Sequence, residues 1–236
     1  MRYEKPLQGA VLIKRYKRFL ADVVLPSGEQ ITVHCPNTGA MTNCIVPNSP
    51  CWILESGNAK RKYRFGWELA TTPCGFLAGI NTLRANALTV EAIDNGTVKE
   101  LEGYTELSTE QRYGSENSRV DIVLQGRGAP CYVEVKSVTL SDGEGCGYFP
   151  DAVSVRACKH LRELMTVREE GARAVLFFCV QHTGIRSVSP ARHIDPKYAA
   201  LLAEAMHRGV EVIAYATQIC VDRGEVALIN PLPVRV

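Results

Sequence analysis

The stretch Cys131-Tyr132-Val133-Glu134-Val135-Lys136 alternates apolar and polar side chains. On a strand, Cys131, Val133 and Val135 share one face and Tyr132, Glu134 and Lys136 the other. Glu134 and Lys136 then stand about 6.6 Å apart by strand rise, near enough to serve one site. Upstream, residues 119–125 read as a second strand, with Val120, Ile122 and Leu124 on an apolar face and Asp121 opposite them. An antiparallel turn through residues 126–130, counted from Gly128, pairs Asp121 with a residue near Val135, so Asp121, Glu134 and Lys136 converge. These residue types suit phosphodiester hydrolysis. Two carboxylates hold Mg2+ or Mn2+ through oxygen, and the metal polarises the scissile phosphate and lowers the pKa of an attacking water. The lysine orients that water or stabilises the developing charge. An exposed Glu/Lys pair on a strand face, worth well under about 1 kcal/mol, is the ordinary alternative, and spacing alone leaves both open.

The elements that must position these residues fall into two halves. Residues 1–83 read as a small all-β barrel: extended runs at 10–13, 19–25, 30–35, 51–54, 63–69 and 76–80, with a hairpin signal at Pro26-Ser27-Gly28. The pattern changes over residues 81–93, where Leu83, Ala87, Leu88 and Ala92 recur at helical spacing. Residues 84–236 read as an α/β layer. A helix near 89–95 and an acidic, loop-like stretch through Glu110 precede three extended runs at 111–114, 119–125 and 131–138. A glycine-rich loop spans 141–147, and residues 151–170 form a helix ended by Gly171. The apolar run 174–180 is a buried strand. Asp195 caps a helix with Pro196 at its first position, Gly209 stops it, and 210–215 is the last strand.

The 236 residues, 46% of them apolar or aromatic and 22% charged, exclude a disordered, collagenous or coiled-coil chain. The net charge of +2 divides unevenly. Residues 1–85 carry eleven Lys/Arg against five Asp/Glu, and residues 86–236 carry sixteen against twenty. No signal-peptide pattern opens the chain, no apolar run is long enough to span a membrane, and nine cysteines without zinc-site spacing suit free thiols in a reducing cytoplasm. The expected location is therefore cytoplasmic, with no membrane partner. The oligomeric state is left open, a homodimer included. In the basic half, Lys14, Arg15, Lys17 and Arg18 interleave with Tyr16 and Phe19, and Lys60, Arg61, Lys62 and Arg64 flank Tyr63 and Phe65. Cations mixed with stacking rings suit a sugar-phosphate backbone, and no base-reading motif accompanies them. Basic strand edges that block aggregation are the alternative. His34-Cys35 is a strand end or a nucleophilic pair, Lys159, His160 and Arg162 face phosphate or solvent, and His182 is a structural histidine.

Val120-Asp121-Ile122 followed by Val133-Glu134-Val135-Lys136 resembles the core of the PD-(D/E)XK nuclease superfamily. Longer strings resemble the sugar fermentation stimulation protein A family: LIKRYKRFLADV at 12–23, HCPNTGAM at 34–41, KRKY at 60–63, YGSENSRVDIVL at 113–124, YVEVKSVTL at 132–140 and FPDAVSVRACKHLREL at 149–164. The resemblance implies an N-terminal OB-like β-barrel followed by a PD-(D/E)XK nuclease-like α/β domain. It also implies non-specific DNA binding linked to regulation of sugar, including maltose, utilisation, with a Mg2+-dependent endonuclease as the alternative. Asp121 and Glu134 are the implied metal ligands and Lys136 the superfamily lysine. A further acid is implied at Glu110, with Glu116 as second choice.

Overall fold

The computed structural model describes residues 1–58, 60–114 and 118–236. Strand β1 (Gln8–Tyr16) turns into β2 (Leu20–Val24), and β3 (Gln30–His34) pairs with β2. After a loop come β4 (Pro50–Glu55), β5 (Phe65–Thr71) and the short β6 (Leu77–Gly79). Strand β4 pairs with β1 and β5, and β5 meets β3 in parallel at His34–Gly66, closing the circuit β1-β2-β3-β5-β4-β1. Closure removes sheet edges and turns alternate residues inward, so Leu12, Val23, Val33, Ile53 and Trp67 fill the interior. The Trp67 indole keeps its hydrogen bond by donating to the Leu69 carbonyl at 2.8 Å. This is the OB-like barrel expected from the sequence.

The remainder is a mixed sheet between helices. In chain order it holds α1 (Arg84–Asp94), β7 (Glu106–Tyr113), β8 (Ser118–Gln125), β9 (Cys131–Val138), β10 (Leu140–Ser141), β11 (Cys146–Phe149), α2 (Val155–Glu169), β12 (Arg173–Val180), β13 (Ser187–Pro190), α3 (Pro196–His207), β14 (Glu211–Cys220) and β15 (Glu225–Pro231). The main sheet runs β15-β14-β12-β9-β8-β7, with β9, β12 and β14 parallel. Helix α1 covers one face through Leu88 against Val133, Val175 and Phe177. Helices α2 and α3 cover the other through Leu161 and Leu202 against Leu176 and Phe178. Such two-sided cover explains the unbroken apolar run of β12.

Several elements differ from the sequence reading. Helix α2 begins at Val155 instead of residue 151, because Ser154 is its cap and takes the Ala157 N–H at 3.1 Å. Asp195 caps α3 through Tyr198 N–H and also receives Ser154 N–H, tying the two helix starts together. The acidic stretch before residue 111 is β7 from Glu106 onward. It is an edge strand whose polar side chains are mostly exposed, so it lacks the apolar alternation that marks a half-buried strand. The last strand continues to Cys220 and turns into a further edge strand, β15.

Backbone bonds join the halves. Gly79 N donates to the Gln181 carbonyl and Thr183 N to the Leu77 carbonyl, at 2.8 and 2.9 Å. The first residues do not stay with the barrel: Tyr3 N donates to Gly224 and Val226 N to Met1. His182 lies buried at this seam, its Nδ1 accepting the Gly184 N–H at 3.0 Å beside the Phe76 ring. Burial pushes its pKa down to about 4. The unfolded chain protonates this imidazole below about pH 6.5, whereas the folded one stays neutral to about pH 4. Stability from this group is thus complete above pH 6.5 and falls as pH drops toward 4, by on the order of 3 kcal/mol. Thermal unfolding at pH 7 and 4.5 should show a larger acid loss in wild type than in His182→Gln; equal losses would contradict this account.

Candidate active site

Strand β9 turns Glu134 and Lys136 toward α2. The Glu134 carboxylate is 1% exposed. Its Oε1 receives close contacts from Lys136 Nζ and from His160 Nδ1 on α2. Arg156 Nε donates to His160 Nε2 at 3.3 Å, which leaves the Nδ1 hydrogen for Glu134. His160 is therefore part of the site and not solvated helix surface. Glu134 Oε2 is buried and finds no hydrogen-bond partner among the described residues. Burial raises the Glu134 pKa, and Lys136 and His160 outweigh it, so the carboxyl titrates below its ordinary range. Asp121 moves the opposite way: burial and then the Glu134 charge raise it, against Lys136 and the hydrogen bonds it accepts. Two neighbouring carboxyls pushed apart in this manner mark a site built for charge chemistry.

The β8–β9 ladder pairs Leu124 with Cys131, Val123 with Tyr132 and Ile122 with Val133. Continued by one residue, that register sets Asp121 opposite Glu134, one place from the Val135 expected by counting. The ladder ends at Ile122, and Asp121 Oδ2 takes the Val135 N–H at 2.7 Å instead. Asn86 of α1 donates to Oδ1 at 2.9 Å. The single apolar face expected for β8 also breaks here: Ile122 and Leu124 pack on the α1 side and Val120 on the α2 side. Across the pair, Glu110 stands opposite Asp121 in a register that runs without a shift from Glu106↔Gln125 to Tyr113↔Ser118, and with φ 54 it drops out of the ladder there.

Glu110 itself is exposed, and among the described residues no group of three His, Cys, Asp or Glu closes around one point. The β7–β8 register sets Glu110 opposite Asp121 with its side chain exposed, and Glu116 lies outside the described residues. The acid that sequence reasoning missed is Glu163, one turn beyond His160 on α2 and 1% exposed. After burial, the charges of Glu134, Glu163 and Asp121 all act to raise the Tyr113 pKa, so all three lie within electrostatic reach of one ring. The signal was the three-residue step from His160 to Glu163, which places both on one helix face.

Lys136, Val135, Asn86 and Arg156 line a cleft of about 340 Å3 whose far wall is Asn37-Thr38-Gly39 of the barrel. That loop is fastened in place: Met41 N donates to Asp151 Oδ2 at 3.0 Å and Asn43 Nδ2 to the Ser141 carbonyl at 3.1 Å. A Cβ at Gly39 would sit 2.6 Å from Asp151 Oδ2, the oxygen that holds Met41 N, so a side chain there would displace that carboxylate. Cys35 lies in the barrel core, and burial pushes its thiol pKa up, opposite to what a nucleophile needs.

The basic clusters occupy two barrel loops. Lys17 and Arg18 form the β1–β2 turn with φ 49 and 63, followed by Phe19, 49% exposed. Lys60, Arg61 and Lys62 lie in the β4–β5 loop, where Lys62 stands 5.6 Å from the Tyr63 ring centre and Arg64 5.3 Å from that of Phe65. His34 connects the two loops: it pairs with Leu20, and after burial the Arg61 charge lowers its pKa. Other members are engaged within the barrel. Lys14 reaches Asp22 at 3.7 Å, and Tyr16 Oη donates to Asp22 at 3.0 Å. Arg15 donates to the carbonyls of Arg18, Asn37 and Gly39, stapling the turn to the cleft wall.

Residues 13–80 match the family described as "SfsA N-terminal OB domain", and residues 83–223 match "Sugar fermentation stimulation protein RE domain". The chain belongs to the sugar fermentation stimulation protein family. A homolog from Saccharophagus degradans is 61% identical over 222 residues, covering 94% of this chain and 95% of its own. One from Teredinibacter turnerae is 59% identical over 234 residues, covering 99% of each. Among solved structures, SfsA of Pyrococcus furiosus in complex with Ca2+ superposes with a TM-score of 0.88 at 27% identity, covering 100% of this chain and 98% of that one.

Proposed function

We propose that this family member binds DNA without sequence preference through its barrel loops and hydrolyses a nucleic-acid phosphodiester at Asp121, Glu134 and Lys136 with a divalent cation. The observation that carries the reading is Glu134 Oε2, a buried carboxylate oxygen with no hydrogen-bond partner among the described residues, across the strand pair from Asp121. Orphaned buried oxygens are costly, and hard-oxygen donors of this kind fit Mg2+, or Mn2+ in its place. Asp121 and Glu134 would hold the ion. When bound, it supplies a Lewis acid for the phosphate and an activated water. The chain's own residues do the rest. Asn86 and the Val135 N–H fix the Asp121 carboxylate, and His160, itself held by Arg156, fixes Glu134. Lys136, one of the residues lining the cleft, would neutralise charge on the reacting phosphate. The Ca2+ named for the Pyrococcus furiosus relative supports an oxygen-ligated ion.

The barrel supports the binding half. OB barrels hold oligonucleotides on the β2–β3 face between the β1–β2 and β4–β5 loops, where Lys17, Arg18, Lys60, Arg61 and Lys62 lie. Phosphate contacts of this kind carry no sequence information. The double variant Arg61→Glu/Lys62→Glu should weaken binding uniformly across sequences and reduce its salt slope by about 2 to 4; unchanged binding would remove this loop from the interface. A second reading, a binder and regulator whose site is idle, is favoured by Lys136 and His160, which together satisfy Glu134 Oε1 without a metal. A link to sugar use rests on the family name, and a cytoplasmic setting on the free thiols. Cleavage assays with Mg2+ or Mn2+, with EDTA as control, separate the readings. Hydrolysis lost in Asp121→Ala supports the enzyme, and binding without cleavage under every condition supports the regulator.

A further inference from the structure

The cleft at the candidate active site adjoins a larger one. That second cleft, of about 600 Å3, lies between residues 1–5, the β4–β5 loop and α1, and its wall includes His34, Pro36, Arg61, Leu83 and Ala87. The active-site cleft begins at Asn37 and Thr82, the adjoining residues of the same two segments. The exposed hydrogen bond from Thr82 Oγ1 to the Pro36 carbonyl, 3.3 Å, marks the division. At the other end, a shallow concavity formed by His34, Arg61, Lys62 and Tyr63 shares two of its residues with the larger cleft. One path therefore leads from the basic β4–β5 loop, along α1, to Lys136.

We infer that this path admits one unpaired strand, so that the substrate of the site is single-stranded nucleic acid. The cleavage half of the inference rests on the hydrolytic reading above; the binding half does not. Each cleft has the volume that ordinarily encloses a drug-sized ligand, about 300–1,000 Å3, which is the scale of nucleotide units and not of a duplex with two backbones. The walls are pinned on both sides. Met41 and Asn43 are bonded to Asp151 and Ser141 beside the site. On the seam, β6 is bonded to Gln181 and Thr183, and the N-terminal arm to Gly224. Admitting a duplex would break several of these bonds. The lining suits a strand with its bases free: Arg61 and Lys62 for phosphates, the Tyr63 ring for stacking, and Leu83, 75% exposed, for a base face. DNA and RNA share this chemistry.

The test uses the full chain with a labelled oligonucleotide as single-stranded DNA, as single-stranded RNA and as DNA duplex, together with bis(p-nitrophenyl) phosphate. Affinities are read by fluorescence anisotropy. Ala87→Trp, on the exposed side of α1, obstructs the path, and its melting curve shows whether it is folded. The expected result is that one or both single strands are bound and cut about tenfold or more better than duplex, the excess that a few stacking contacts provide. In Ala87→Trp, the ratio of strand to small-ester hydrolysis should fall about tenfold, and strand affinity should fall with it. The arms that compare DNA with RNA name the natural strand. Duplex bound and cut as well as single strands, or a folded Ala87→Trp that handles strands like wild type, overturns the inference. If nothing is hydrolysed, the small ester included, the hydrolytic reading fails by itself. The inference then stands on single-strand affinity that exceeds duplex affinity and drops in Ala87→Trp, and falls if the affinities are equal.

Discussion

Lys136→Met is expected to lower metal-dependent cleavage by about a hundredfold or more, the usual cost of removing a preorganised charge that meets the transition state. It should also destabilise the fold. Lys136 Nζ contacts Glu134 Oε1, and both groups are nearly shut off from solvent. Removing one partner of a buried pair strands the other charge, at a typical cost of about 3–5 kcal/mol; His160, still bonded to Glu134, lowers that figure here. The two effects separate in the double variant Lys136→Met/Glu134→Gln, which has no stranded carboxylate. Its melting temperature should recover toward wild type while cleavage stays absent. Cleavage by Lys136→Met within a few-fold of wild type would show that the lysine serves packing alone.

Gly114→Ala should cost about 3 kcal/mol or more of stability. Gly114 has φ +68, where an alanine is strained, and an added Cβ would lie 1.6 Å from Glu163 Oε2. Glu163 is buried and must move to relieve the overlap, which disturbs the carboxylates around Tyr113. Gly28→Ala is the comparison: φ is +86, and no atom lies within 4 Å of the added Cβ. That variant carries the backbone cost alone, about 1–2 kcal/mol. Denaturant unfolding of both measures the difference, and equal losses would mean that Glu163 is not held where the structure places it.

Asp121, Glu134 and Lys136 were legible because period-two alternation names a strand face and the short turn limits the register. The correction by one residue, from Val135 to Glu134 opposite Asp121, comes from the turn, whose centre falls between Arg127 and Gly128 and not on Gly128 itself. Glu163 and His160 stayed hidden because a polar residue on an amphipathic helix reads as solvated until the strand it covers is known to carry a carboxylate. The carbonyl partners of Arg15 at Asn37 and Gly39 stayed hidden for a similar reason: they lie more than twenty residues away. The barrel was readable from its turns, whereas β7 and β15 were not, because edge strands carry too few apolar residues to alternate. The cleft wall at Asn37-Thr38-Gly39 exists only once both halves are folded.

The account rests on Asp121 and Glu134 sharing one divalent ion. Titration of the protein with Mn2+, followed by electron paramagnetic resonance of the free ion, tests it without dependence on any substrate. Wild type should bind one ion per chain, and Asp121→Asn and Glu134→Gln should each weaken binding by about 10–100-fold or more, since loss of even an outer-shell partner commonly costs that much. Equal Mn2+ affinity in all three folded proteins would contradict it.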